Sequence, residues 1–182
     1  MIRFTQGNLL DSSAEAVVNT VNEVGVMGKG LALMVRERFP DSSKAYMDAA
    51  KRGDVKVGRM CVTRNTPLLG PRWIIHFPTK KHWRNPSRIE WILDGLVDLL
   101  RVIREHDIRS VAIPPLGCGN GGLQWTLVRP EIERALAELR DVDVLVYEPV
   151  TSIPNHPRLK CCAGRLGPRA QSSDFRVLRS ER

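Results

Sequence analysis

The chain has 182 residues, 42% of them apolar and 26% charged, with a formal net charge of +8. That length suits one domain with room for an appendage, and no apolar run approaches a membrane span. The first ten residues carry one Arg and no apolar signal-peptide core, and Cys61, Cys118, Cys161 and Cys162 are too irregular for a disulfide framework or a zinc site, so the cytoplasm is the expected compartment.

The positive charge is uneven. Residues 151–182 hold seven Lys/Arg against two acids, whereas residues 1–150 hold 21 against 18. The body of the chain is only mildly basic, and a nucleic-acid argument must rest on where its cations cluster.

Residues 2–5 predict a short strand, followed by a turn at Gly7-Asn8-Leu9-Leu10 and a connection over 11–15. Residues 16–18 predict a buried strand running into Asn19 and Asn22, then a loop spaced by Gly25, Gly28 and Gly30. A helix opens at about Leu31, its stripe set by Leu31, Met34, Val35 and Arg38, and Pro40 ends it. Asp41 is placed to cap a second helix that runs to Lys51 and stops at Gly53. Residues 58–64 and 72–77 read as strands joined by a turn containing Pro67, Gly70 and Pro71. A proline-bracketed loop, 78–86, comes next. Ser87-Arg88-Ile89-Glu90 then reads as a capping box opening a helix with a wide stripe of Ile89, Ile92, Leu93, Leu96, Leu99, Leu100 and Ile103. Residues 110–113 predict a buried strand and 114–122 a second glycine-rich loop. A helix to Leu139 follows, with Pro130 a candidate first residue, and 142–147 is the last strand. Strands alternating with helices predict an α/β layered fold with a largely parallel sheet over 1–150. Residues 151–182 show no periodicity and read as a basic linker or tail.

A strand that delivers glycines to a helix N-terminus makes an anion site. The glycines let the backbone approach a phosphate, and the first helical N–H groups point at it. Asn19 and Asn22 add neutral donors and acceptors suited to sugar hydroxyls. The loop is not a Walker A loop, because Lys29 is followed by Gly30, and its glycine order is not the Rossmann order. The second loop does match G-x-G-x-x-G over Gly117-Cys118-Gly119-Asn120-Gly121-Gly122. A dinucleotide-dependent oxidoreductase is disfavoured all the same. Only one strand follows that loop, and Asp141 and Asp143 begin that strand where a ribose-binding acid should end it; Glu148 ends it but lies further on.

Lys80 and Lys81 follow a strand end, with His82, Trp83 and Arg84 beside them. An isolated Lys-Lys pair is usually a solvated turn. Here two phosphate-type loops share its sheet edge, and a lysine beside another cation or desolvated by a ring has its charged form disfavoured. Lys81, His82, Trp83 and Arg84 together offer cations for a nucleic-acid backbone and a ring for an unpaired base. His76 and His106 read as structural, Trp73 and Trp91 as packing residues, and Trp83 and Trp125 as flanking the two loops.

Asn-x-x-Asn followed by Met-Gly-Lys-Gly-Leu-Ala resembles the first ligand loop of macrodomains, the modules that bind and process ADP-ribose. Phe-Pro-Thr-Lys-Lys-His-Trp, with Pro-Pro-Leu-Gly-Cys-Gly-Asn-Gly-Gly-Leu-Gln-Trp downstream, extends the resemblance to the DarG antitoxin type over about residues 1–149. It implies a three-layer α/β/α sandwich with a central mixed, largely parallel sheet, and two loops that clamp a diphosphate over adjacent strands. It also implies a hydrolase that removes ADP-ribose from thymidine in single-stranded DNA, an antitoxin and DNA-repair activity countering a DarT-type toxin, with no cofactor and no metal. Lys80 takes the catalytic position. Asn8, Leu9, Asn19, Asn22, Val26, Met27, Gly28, Lys29, Gly30 and Thr79 fall on one side of the implied ligand site. Pro115, Gly117, Cys118, Gly119, Asn120, Gly121, Gly122 and Leu123 fall on the other. The related terminal ADP-ribose glycohydrolases pair their lysine with an aspartate where Gly121 stands here, so an acid partner from this loop is missing. DarG proteins also carry a second folded domain, for which 151–182 is too short and polar. Removal of ADP-ribose from protein glutamate and non-catalytic ADP-ribose binding are the alternatives; the second would not need Lys80.

Overall fold

The computed structural model describes residues 1–65 and 70–149. Pro67 of the expected turn and the whole basic segment 151–182 lie outside them. The strands are β1 (Ile2–Thr5), β2 (Ala16–Asn22), β3 (Cys61–Arg64), β4 (Trp73–Lys80), β5 (Ser110–Ile113) and β6 (Asp143–Tyr147). They form one sheet in the order β1-β6-β5-β2-β4-β3. All neighbours run parallel except β3, which lies antiparallel to β4 at one edge. The helices are α1 (Gly30–Arg38), α2 (Pro40–Lys51), α3 (Ile89–Glu105) and α4 (Trp125–Leu136).

The period-two alternation of the strands divides the interior into two cores. Ala16, Val18, Ile75, Phe77, Val111 and Ile113 pack with α3 and α4 on one face. Val17, Val21, Ile74 and Ala112 pack with α1 and α2 on the other. This is the expected three-layer sandwich. The near-continuous apolar runs of β2 and β4 follow from it, since a strand covered on both faces has no solvent side to keep polar. The stripe of α3 faces its core as expected through Ile92, Leu96, Leu99 and Ile103, while Leu93 falls outside it and is exposed. At Gly95 an added Cβ would lie 2.3 Å from the Phe77 ring, so the missing side chain is what lets α3 settle close on β4.

Several local expectations are corrected. β2 does not stop at Val18 but continues to Asn22, because β4 pairs with it along its whole length. β4 likewise extends through Pro78 and Thr79 to Lys80, so the lysine ends a strand instead of sitting in a loop. β3 starts only at Cys61, after turns over Val57–Arg59. Asp41 does not cap α2. Pro40 takes the first helical position, where a missing N–H costs nothing, and Asp41 falls in the first turn. The capping box at Ser87 does not form. α3 begins one residue later with Arg88 in the cap position, while the Ser87 N–H donates to the Gly121 carbonyl at 2.9 Å and its hydroxyl is buried. A tertiary bond to the second glycine loop has displaced a local cap. Pro130 lies inside α4, which runs from Trp125 and ends at Leu136. Pro130 and Thr126 are exposed, so water can reach the carbonyl freed by the missing N–H.

Candidate functional site

The C-terminal ends of β2, β4 and β5 open into a cleft of about 660 Å³, within the range of small-molecule sites. Three segments wall it: the end of β2 with the start of α1, the end of β4, and the loop after β5.

On the first side, Asn22, Val26, Gly28, Lys29 and Gly30 line the cleft. Gly30 has φ +57, a left-handed turn that opens α1 toward the space. Lys29 occupies the cap position and its side chain makes no capping bond. The first helical N–H groups therefore face the cleft without intrahelical partners, the arrangement that favours an anion. Asn22 is largely committed to the loop. Its Oδ1 accepts from the Val24 and Val26 N–H groups at 3.1 and 3.2 Å, and its Nδ2 donates to the Val26 carbonyl at 2.7 Å. Its own backbone is held by Tyr46, whose hydroxyl donates to the Asn22 carbonyl and accepts from its N–H.

On the second side, Pro115, Gly117, Gly119, Asn120 and Gly121 form the wall. The loop folds back on itself through the Leu123 N–H to the Gly117 carbonyl and the Gly122 N–H to the Gly119 carbonyl. A Cβ at Gly30 would stand 3.3 Å from the Asn120 amide, so the two loops approach closely across the opening. Gly28 and Gly119 present empty space, with nothing within 4 Å of an added Cβ. Gly121 is the opposite. A Cβ there would meet the Gly117 carbonyl oxygen at 2.2 Å and the Ser87 hydroxyl at 2.4 Å. No side chain fits at that position without moving backbone, so an acid is excluded by the course of the loop as well as by the sequence.

Lys80 lies between the two sides and is 8% exposed. Its ammonium donates to the Asn120 carbonyl, and burial lowers its pKa from the ordinary lysine value. Beside it, Thr79 is buried and its hydroxyl donates to the Val21 carbonyl at 3.4 Å. Lys81 is exposed and its ammonium lies over the Trp91 ring instead. Trp83 and Arg84 line the mouth of the cleft, with His82 stacked against Trp83. Thus the cleft gathers phosphate-type N–H groups, a buried amine and an aromatic rim.

Other residues named from the sequence do not line the cleft. The Asn8 side chain accepts from the Leu10 N–H in a short 3-10 turn, and Leu9 and Met27 are core residues. Asn19 is fully buried, with its amide 3.2 Å from His76 Nδ1. Cys118 and Leu123 pack against the core, and Gly122 turns away. His76 itself is structural. Its Nε2 lies near the Ser42 and Thr63 hydroxyls, Tyr46 stacks on it at 4.8 Å, and burial lowers its pKa to about 3. Trp73 stacks on His106. Trp125 packs on the core, with Phe4 at its edge and Glu148 near its N–H, and does not reach the cleft. Trp91, expected to pack on the core, belongs to neither core cluster. It is half-buried with Lys81 and Arg88 over its ring. Sequence reading missed Thr20, Val21, Leu31, Ala32 and Pro114, which line the cleft. The β-branched pair Thr20-Val21, which prolongs the strand signal, is the clue that marks two of them.

The layered fold, the paired glycine loops and the buried lysine between them define an α/β domain with a cleft at the C-terminal edge of its sheet. A sequence profile described as Macro domain matches residues 18–132, and the chain belongs to that family. A Thermus aquaticus protein named DNA ADP-ribosyl glycohydrolase is 54% identical over 156 residues, covering 86% of this chain and 43% of that protein. The chain therefore spans less than half the length of that relative. The solved macrodomain of Mycobacterium tuberculosis DarG is 54% identical and superposes with a TM-score of 0.81, covering 82% of this chain and 98% of that one. Thermosipho africanus DarTG, solved in complex with ADP-ribose, is 34% identical with a TM-score of 0.76, covering 82% and 42%.

Proposed function

We propose that this chain is a hydrolase that removes ADP-ribose from thymine in single-stranded DNA. The observation that carries the reading is Lys80, a buried lysine with a lowered pKa held between two glycine loops. A module that only binds ADP-ribose has no use for a desolvated amine at this place. The loops suit the diphosphate, with α1 offering its free N–H groups and Gly28 and Gly119 leaving room for close approach. The distal ribose then lies toward Asn22 and Lys80. The name DNA ADP-ribosyl glycohydrolase, borne by the relatives from Thermus aquaticus and Mycobacterium tuberculosis, supports removal of ADP-ribose from DNA.

ADP-ribose on thymine is an N-glycoside, and its base leaves less readily than the carboxylate of a glutamate ester. The bond at C1″ needs either a proton delivered to the departing base or an attacking nucleophile. Lys80 is the titratable side chain on the cleft wall best placed for either task, since Gly121 supplies no acid. Lys81, His82, Trp83 and Arg84 contribute cations and a ring for the DNA around the modified base. The same reading takes the protein to work in the cytoplasm against a DarT-type DNA ADP-ribosyltransferase, a pairing that the DarTG name of the Thermosipho africanus relative supports.

The test runs an ADP-ribosylated single-stranded oligonucleotide and a glutamate-linked protein conjugate side by side. The oligonucleotide should yield free ADP-ribose and intact DNA, faster than the protein conjugate and more slowly as salt rises. Rapid protein de-modification with no DNA activity would move the assignment to protein substrates.

A further inference from the structure

The helix arginines of this protein are mostly spent on acids. Arg101, Arg104, Arg129 and Arg134 each stand within ion-pairing distance of a carboxylate. Beyond Lys80 the pattern changes. Lys81, Arg84 and Arg88 pair with no carboxylate among the described residues. Each lies on an indole instead. Arg84 Cζ is 4.6 Å from the Trp83 ring centroid, while Lys81 Nζ and Arg88 Cζ are 5.7 and 5.4 Å from that of Trp91.

Neither indole serves the packed interior. Trp73 and Trp125 rest against the core, but Trp83 is 44% exposed and Trp91 is half-buried outside both core clusters. Two surface tryptophans with unneutralised cations on them are poor folding material and good material for a ligand with alternating anions and flat rings. Trp83 and Arg84 stand at the cleft mouth, and Lys81 adjoins Lys80 in the chain while reaching over Trp91. The surface therefore starts at the reaction site and leads away from it onto the first turn of α3.

We propose that the nucleic-acid strand flanking the modified base leaves the cleft over Trp83 and Arg84 and continues across Lys81, Trp91 and Arg88. Bases stack on the indoles and phosphates meet the cations. This rests on the reading that the substrate is single-stranded DNA, and it adds a second binding position, Trp91 with Arg88, that ADP-ribose itself does not touch. A single strand suits the surface because its unpaired bases expose their faces. An acidic peptide would use the cations and leave the indoles without a role.

The test uses the 182-residue chain, a fluorescein-labelled unmodified oligothymidylate of about ten nucleotides, and the variants Trp91→Ala and Arg88→Glu. Anisotropy at low salt should show Trp91→Ala binding about five- to one-hundred-and-fiftyfold more weakly, the range that loss of one stacked base gives. For Arg88→Glu the slope of log K against log salt should flatten by at least roughly 0.7, the loss of one phosphate contact on a single strand, with the added carboxylate repelling phosphate besides. Calorimetry should find unchanged ADP-ribose affinity in both, which also shows that they fold. With ADP-ribosylated oligonucleotide the variants should raise KM and hold kcat, while ADP-ribosylated thymidine, too short to reach Trp91, keeps its KM. Wild-type oligonucleotide affinity in both variants would overturn the proposal. So would displacement of the oligonucleotide by polyglutamate at equal charge, which would assign the surface to acidic peptides. If the wild type binds the oligonucleotide through Trp91 and Arg88 yet hydrolyses no modified DNA, the track stands and the substrate assignment fails. If it hydrolyses nucleoside and oligonucleotide with the same KM, the substrate assignment stands and the track fails.

Discussion

Asn22 and Lys80 are register partners at the ends of adjacent parallel strands, just beyond a bulge between Val21 and Asn22. The Glu23 N–H donates to the Lys80 carbonyl at 3.1 Å and fixes the pair. The residue that shapes the first glycine loop and the residue carrying the amine are thus set by one stretch of ladder. Its geometry belongs to the sheet.

Lys80→Ala should keep ADP-ribose affinity and lose turnover by at least about a hundredfold, the scale of a missing proton donor or acceptor. Lys80→Arg separates charge from chemistry, because a guanidinium stays protonated and is a poor nucleophile. Single-turnover rates with calorimetry on the same preparations make the comparison. Wild-type turnover in Lys80→Ala would remove the lysine from the mechanism.

The glycines divide by what a side chain would meet. Gly28→Leu and Gly119→Leu point into empty space, so they should fold normally and weaken ADP-ribose binding at least about tenfold, roughly 1.4 kcal/mol. Gly121→Ala strikes the Gly117 carbonyl and the Ser87 hydroxyl, so it should lower stability by about 1–3 kcal/mol as overpacking does. Urea unfolding and calorimetry read both effects. A normally stable Gly121→Ala would show that the loop relaxes freely.

Tyr46→Phe removes the hydroxyl that bonds both backbone groups of Asn22 while keeping the ring on His76. Two buried groups lose a partner, at about 1–3 kcal/mol. ADP-ribose affinity should fall as well, because the loop that Asn22 staples loses its anchor. Unchanged affinity in a folded Tyr46→Phe would show that the bonds inside the loop suffice.

His76 makes stability depend on pH. Its folded pKa, about 3, lies below the ordinary histidine value, so between the two the unfolded chain binds the extra proton. Stability then rises with pH across that window, is complete above about 6.5, and is lost as the solution is acidified toward 3. His76→Gln should flatten the difference in unfolding free energy between pH 7 and pH 4 by an amount on the order of a few kcal/mol. Parallel pH profiles of wild type and variant would contradict this.

The layered fold was legible because its signals were local: alternating apolar strands, the stripe of α3, and two glycine runs at strand-to-helix junctions. What escaped depended on distant parts of the chain. Ser87 carries a cap signature, yet the Gly121 carbonyl claims its N–H. Asn19 and Asn22 look equivalent in sequence, but the alternation of β2 and its bulge send one to His76 and the other to the cleft wall. Trp91 sits at a helical spacing that suggests packing, and only the position of Lys81 and Arg88 reveals it as a cation-bearing surface ring.

The blocked space at Gly121 also limits the routes by which this cleft can change. Because the obstacle includes the Gly117 carbonyl oxygen, truncating Ser87 does not clear it. A codon change to aspartate at 121 alone would disturb the loop before it set a carboxylate near Lys80. A cleft with this loop and one with a lysine–aspartate pair are therefore separated by a change of backbone path, and a directed-evolution campaign that varied 121 singly would recover larger side chains there only at a cost in stability.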